Sequence, residues 1–317
     1  MKSGYIYGDQ SKHGYNAWPS ACTANGKIYC TFSGERVAHL QGNGKVMLSV
    51  ADENTLEWQN KVVYESMYDE RDCGILNLGN GKMLLSFITW VRPGKNYYPK
   101  YMLSDDYGQT WSDPYEIAVH SPHGPIKLRN GNIVYLGKDF TDKSVHSMIS
   151  TDGGITWTNG EPLPLPEGVT NDNLCEPYAI ELSDGTLFGA VRFIANKSGR
   201  YLRNSFFYTR SYDGGKTWTN LKYSGVNGVP PHMLETSDGK LVIAYARRDF
   251  PYSLRYKVST DGGDTFGEEK KLCRQFSWDF GYPSTVELSD GSLLTVYYGK
   301  SNLFQIKNHI YYIKWKL

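Results

Sequence analysis

The sequence predicts an all-β chain folded as a six-bladed β-propeller. Three observations carry the prediction. An eight-residue motif recurs four times, six glycine turns fall 50 to 55 residues apart, and apolar residues alternate at period two with no sustained helical period. Composition agrees. The 317 residues include 33 glycines, 25 tyrosines and 8 tryptophans, while only 21% are charged. Many short strands joined by many turns call for that balance.

The motif has the form S-x-D-x-G-x-T-W/F. Its copies are Ser104–Trp111, Ser150–Trp157, Ser211–Trp218 and Ser259–Phe266, and Ser49–Trp58 reads as a worn fifth copy. These residue types suit a hairpin turn. The aspartate accepts hydrogen bonds from the turn's own backbone, the glycine supplies positive φ, and the aromatic packs back onto the sheet. A second turn, ending in glycine, interleaves with the first at Gly26, Gly81, Gly131, Gly185, Gly239 and Gly291. Stretches such as Ala179–Phe188 and Thr285–Leu294 flank it with half-buried strands. A unit of roughly 50 residues holding about four strands is a propeller blade. Six blades use the whole of 1–317 as one domain. The ring is expected to close where the strand around Tyr5-Ile6-Tyr7 joins the last blade at Ile310–Trp315.

The innermost strand of each blade lines the central channel, and its start is expected nine residues before the turn glycine. That register holds Ala17, Asp72, Pro122, Glu176, Pro230 and Tyr282, with Trp18, His123 and His232 beside it. Two carboxylates and a phenol at one level of one ring point to a site.

Other function classes fall away. With 34 Lys+Arg against 33 Asp+Glu the net charge is +1, which gives no footprint for nucleic acid. No apolar run approaches the ~20 residues that span a bilayer, so no membrane partner is expected. The N-terminus carries no signal-peptide core, so the chain as it stands is expected in the cytoplasm, or secreted if a signal was trimmed. Five cysteines without ligand spacing read as reduced, buried thiols. No histidine pair has ligand spacing either, so neither metal nor cofactor is expected.

The repeated motif on a six-bladed propeller resembles the Asp boxes of the sialidase (neuraminidase) superfamily. Glu176-Pro-Tyr-Ala-Ile-Glu-Leu-Ser-Asp-Gly185, running on to Arg192, is similar to the family's Glu-x-x-x-x-Glu-Leu-x-Asp-Gly strand pair and its following arginine. By that resemblance Glu176 is the base that activates a nucleophile, and Arg192 binds a substrate carboxylate. Tyr282, in Gly-Tyr-Pro-Ser, matches the nucleophilic tyrosine that opens the sixth blade. Arg248, or its neighbour Arg247, matches the fifth-blade arginine, Arg71 the second-blade arginine, and Arg36 the arginine of a Glu-x-Arg strand end. The resemblance therefore implies a glycan or glycoconjugate substrate. Trp18 and Trp278 are candidates to stack on a sugar face, and His123 and His232 to hydrogen-bond its hydroxyls.

The chemistry suits these residue types. An anionic sugar would repel a carboxylate nucleophile at its anomeric carbon, whereas a phenol is neutral. An ordinary phenol has a pKa near 10, so it needs a base in hydrogen-bond reach. Tyrosine-dependent sialidases are accordingly exceptions to the two-carboxylate rule of glycosidases. Two departures stand out. Tyr15-Asn-Ala-Trp-Pro19 lacks the arginine that opens the family's first blade, and Val37-Ala-His-Leu-Gln41 lacks its acid/base aspartate. His39 or Asp72 is then the candidate proton donor. The sugar is expected to be acidic, or another such as a uronic acid, rhamnose or arabinose.

Overall fold

The computed structural model describes residues 1–92, 94, 96–195 and 202–317. Six small antiparallel sheets follow one another along the chain, and within most of them strand order follows the sequence. Blade 1 comprises Tyr15–Ala24, Lys27–Arg36, Lys45–Asp52 and Trp58–Tyr64. Blade 2 opens with Asp69–Gly79, blade 4 with Leu174–Glu181, blade 5 with His232–Glu235 and blade 6 with Gly281–Glu287. In blade 3 the inner strand is split into Val119–His120 and Ile126–Lys127, both paired with Ile133–Asp139. The ring closes as the sequence predicts. Lys2–Tyr7 pairs antiparallel with His309–Trp315, Tyr5 opposite Tyr311, as the outer strand of blade 6. Among the described residues the only helical element is a single 3-10 turn, Asn171–Asn173.

All four motif copies build the same turn. In the first, Ser104 Oγ donates to Asp106 (2.8 Å) and accepts from Gly108 N (2.9 Å), while Thr110 Oγ1 donates to Asp106 (2.6 Å). The other three repeat this network around Asp152, Asp213 and Asp261. Even the worn copy keeps its aspartate, Asp52, which accepts from Asn54 N at 2.9 Å. The motif's aromatic does more than return to its own sheet. Trp218 donates to Ser147 Oγ of blade 3 at 2.9 Å, and Trp157 meets Tyr101 of blade 2 edge-on at 5.8 Å. Each box is thus a wedge against the preceding blade, and the apolar core lies in the layers between adjacent sheets.

The inner hairpin turns lie at the same end as the boxes, and there six clasps run around the channel. Each blade reaches back to the one before it. Asn77 bonds the Thr23 carbonyl (2.9 Å), Lys127 the Leu78 carbonyl (2.6 Å), Glu181 the Arg129 N–H (2.7 Å), Glu235 the Ser183 hydroxyl (3.0 Å), and Glu287 the Ser237 N–H (2.7 Å). Glu53 of blade 1 completes the circle by accepting from Ser289 N of blade 6 at 2.8 Å. All five cysteines are free.

Candidate active site

At the opposite end of the channel the inner strands carry a repeated distortion. Trp18, Asp72, Glu176 and Tyr282 have φ of 56°, 52°, 47° and 50°, the left-handed region that side-chain-bearing residues avoid. Each sits in a break of strand register, between Ala17 and Ser20, Arg71 and Gly74, Cys175 and Tyr178, and Gly281 and Ser284. A bulge of this kind re-aims one side chain out of the alternating pattern. Held left-handed backbone at bulky residues costs of order 1–3 kcal/mol each and concentrates at functional sites. In blade 1 the distorted residue is Trp18 rather than Ala17, one position from the expected register. Tyr282 is preceded by Gly281, where an added Cβ would come within 2.6 Å of Ala246.

Two of the distorted residues meet across the ring. Tyr282 Oη donates to Glu176 Oε1 at 2.5 Å, although 106 residues separate them. Arg192 Nη1 donates to the other oxygen, Oε2, at 2.5 Å and lies 3.4 Å from Tyr282 Oη. The electrostatics are lopsided. Burial pushes the Glu176 carboxyl up, but the Arg192 charge and the hydrogen bonds from Arg192 and Tyr282 outweigh it, so the pKa falls below the usual value. Burial, then the charge of Glu176, raises the Tyr282 phenol well above 10. At neutral pH the pair is a phenol donating to a carboxylate, an arrangement that can activate a phenol as a nucleophile.

Arg248 completes this side. Its guanidinium sits 5.6 Å from the centre of the Tyr282 ring, with Nε donating to the Phe280 carbonyl at 3.0 Å. Arg247 points elsewhere and pairs with Glu269 at 3.6 Å, so of the two adjacent arginines Arg248 faces the site. Asp72 occupies the same level from blade 2. Burial lifts its carboxyl to about 6, helped by Glu176 and opposed by Arg71.

Several expected sugar contacts are engaged within the protein. Arg36 is fully buried, and both its terminal nitrogens bond Asp69, a carboxylate that also bonds Arg92 at 2.7 Å. It braces the wall rather than offering a free fork. Trp18 is only 1% exposed, and the Arg71 guanidinium covers its ring at 4.1 Å, so no face is left for a sugar. Arg71 is itself almost buried in this stack. His232 has both nitrogens occupied, by Ser284 Oγ (3.3 Å) and Thr285 N (3.2 Å), and its ring stacks on Tyr178 at 4.7 Å. It forms part of the floor. His123 lies beside it, its ring 6.4 Å from that of Tyr282, and neither nitrogen meets a partner among the described residues. Burial lowers His123 to about 4 and keeps His232 neutral as well. Trp278 is the open aromatic, 60% exposed at the mouth. Among the described residues no group of three or more His, Cys, Asp or Glu could hold a metal ion.

His39 stands at the mouth on a loop pinned by the Ala38–Gln41 bridge. Its Nδ1 lies 3.0 Å from Asp279 Oδ1 and 3.0 Å from Tyr15 Oη. Asp279 also accepts from Tyr15 and Tyr298, each at 2.9 Å. Asp279, Tyr298, Tyr15 and Asp69 were not among the residues singled out by the sequence. A lone carboxylate in the aromatic run Trp278-Asp279-Phe280 is the one signal that could have found Asp279.

This repeat architecture and funnel define a class, and the comparisons agree. The model of the BNR repeat-like domain matches residues 21–295, so the chain belongs to the BNR repeat-like family. A Dyadobacter fermentans protein of unknown function shares 22% identity, covering 100% of this chain and 98% of that one, with a TM-score of 0.84. The leech intramolecular trans-sialidase (13% identity, 100% and 70% covered, TM-score 0.78) and the NanB sialidase of Streptococcus pneumoniae (12%, 99% and 70%, TM-score 0.74) have the same fold. A comparison with curated protein sequences finds no match.

Proposed function

We propose that the protein is an exo-glycosidase of sialidase type that hydrolyses a terminal, acidic sugar with retention. The observation that carries the reading is the Tyr282–Glu176–Arg192 contact, a phenol donating at 2.5 Å to a carboxylate that an arginine keeps ionised. In the proposed reaction Tyr282 Oη bonds to the anomeric carbon as its proton passes to Glu176. The glycosidic C–O bond breaks, and the leaving oxygen takes a proton from His39 or Asp72. Water then attacks the same carbon, giving its proton to that residue. The Tyr282–carbon bond breaks and Glu176 returns the phenolic proton. Arg248, with Arg192 and Arg71, supplies positive charge for the sugar's anionic group.

Sialic acid itself is the less favoured sugar, because Tyr15-Asn-Ala-Trp-Pro19 lacks the arginine that opens the family's first blade and the Trp18 ring is already covered. A glycosidase or lyase acting on another sugar, such as a uronic acid, is the second reading. A panel of nitrophenyl sialosides, uronides, rhamnosides and arabinosides tests both. Turnover of any member that disappears in Tyr282→Phe and Glu176→Gln is the expected result. Turnover indifferent to both substitutions rejects the mechanism, and tight glycan binding without turnover makes the propeller a glycan-binding module.

A further inference from the structure

The glycosidase reading leaves two candidate proton donors, and the geometry separates them. A leaving group is the part of the substrate that stays at the mouth of the funnel, so its proton donor must stand there too. Asp72 is set in the channel wall at the level of Glu176 and Tyr282, and its carboxyl senses the charge of Glu176. His39 is on the mouth loop with a side chain 31% exposed, and the open Trp278 ring lies 6.3 Å from it.

We propose that His39 is the general acid and base of this site, and that Asp279 is the residue that positions it. The proposal rests on the glycosidase reading above. Three features converge on the histidine. Its ring is fixed through one nitrogen only, Nδ1, which lies 3.0 Å from Asp279 Oδ1, while Nε2 makes no hydrogen bond among the described residues. A carboxylate accepts and cannot donate, so the neutral ring carries its proton on Nδ1 and leaves Nε2 as the nitrogen that takes up or gives a proton. Its backbone is fixed as well, because Arg36 Nη2 donates to the His39 carbonyl at 3.2 Å from the far side.

Asp279 is itself held. Tyr15 and Tyr298 each donate to it at 2.9 Å, and Asn308 Nδ2 donates to its carbonyl at 2.9 Å. Burial pushes the Asp279 carboxyl up, but the hydrogen bonds and charge of His39, with the two phenols, bring it below its ordinary value, so it faces the ring as an anion. Tyr298 also lies 3.4 Å from Arg248 Nη2, which ties the dyad to the substrate-side arginine. The charged and titratable groups around the ring are thus Asp279 and Tyr15 at Nδ1, Arg36 at the backbone and Asp72 across the funnel. In the reaction the doubly protonated ring gives its Nε2 proton to the leaving oxygen as the glycosidic bond breaks, which leaves the neutral ring protonated on Nδ1. The same nitrogen takes a proton from water in the second step, so the histidine ends as it began.

The test uses two glycosides of whichever sugar the wild type cleaves. A nitrophenyl leaving group departs with little help, whereas a methyl glycoside needs its oxygen protonated. His39→Gln is expected to lower kcat/KM on the methyl glycoside by about 100-fold or more, and on the nitrophenyl glycoside by less than about 10-fold. Asp279→Asn is expected to give the same asymmetry at about 10- to 100-fold, the cost of a misdirected imidazole. Asp72→Asn is expected to change both substrates by the same factor. An unchanged ratio in His39→Gln or Asp279→Asn, or a ratio that collapses in Asp72→Asn, overturns the proposal. Ring nitrogen NMR gives a readout independent of turnover. His39 in the wild type should carry its neutral-form proton on Nδ1, and Asp279→Asn should move it to Nε2. A wild type that cleaves no glycoside rejects the functional reading, and the donor role with it. An Nδ1 proton still present in that case shows that the pairing itself is sound.

Discussion

The two ends of the central channel are built on opposite rules. At the hairpin end the clasp recurs from blade to blade, a side chain of one blade bonding the turn of the blade before, and the fourfold Asp boxes lie beside it. At the open end four of the blades present four different groups. Tryptophan, aspartate, glutamate and tyrosine occupy one distorted register, where Tyr282 meets Glu176 and Trp18 meets Arg71 from another blade. Repetition serves stability, because every copy solves the same turn and interface problem. A site needs unlike groups at unlike places, and the ring brings six different inner strands to one point.

The largest expected effect therefore falls on activity at the open end. Tyr282→Phe or Glu176→Gln should cut turnover by about 1,000-fold or more. The thermal midpoint should hardly move, since both substitutions keep the volume of the side chain. A loss of cooperative unfolding in either variant would mean that the pair holds the ring together, and the division between the ends would fail.

The next effect is a pH dependence. The Asp72 carboxyl titrates at about 6 because burial disfavours its charge. Below that pH it is neutral, and above it a second anion faces Glu176 and any anionic sugar. Affinity for an anionic substrate should therefore fall as pH rises through 6, by up to about 10-fold for each unit of change in that pKa between free and bound protein. Asp72→Asn should remove the inflection from a profile of kcat/KM against pH. An inflection that survives belongs to another group.

The hairpin end should answer in stability alone. Glu287→Ala removes two hydrogen bonds to Ser237, at 2.7 and 2.8 Å, from one of six clasps. A charge-assisted bond at a partly open site supports a loss of about 1 kcal/mol, read as a lower denaturant midpoint with turnover unchanged.

The same contrast explains what the sequence could reveal. Periodicity alone located the six blades and the closing strand, because each repeat announces its own turn. The register counted from the turn glycines reached Asp72, Glu176 and Tyr282, yet slipped by one at Trp18, which stands eight residues before its turn glycine where the others stand nine, a difference that no pattern marks. Arg36 read as a free fork because its partner, Asp69, is 33 residues away on the next blade. Asp279 and His39 lie 240 residues apart and belong to no repeat, so only the closed ring brings them together.

The smallest effect lies in the repeats themselves and appears only in acid. Turn hydroxyls and N–H groups bonded to the Asp106 and Asp152 carboxylates lower both to about 2, the hydrogen bonds of Thr110 and Thr156 being the main cause. A carboxyl depressed on folding contributes stability that is complete above its ordinary value near 4 and is lost as pH falls through 2. Both groups are open to solvent, so each adds little, and the sum over the boxes is what acid removes. Denaturant midpoints should therefore decline between about pH 4 and pH 2. Asp106→Asn and Asp152→Asn should flatten that decline step by step, because an amide keeps an acceptor and has nothing to titrate. A decline equally steep in the double variant would assign the acid sensitivity to the buried Asp69 cluster at the open end. The stability of the ring would then depend on the end whose groups differ from blade to blade.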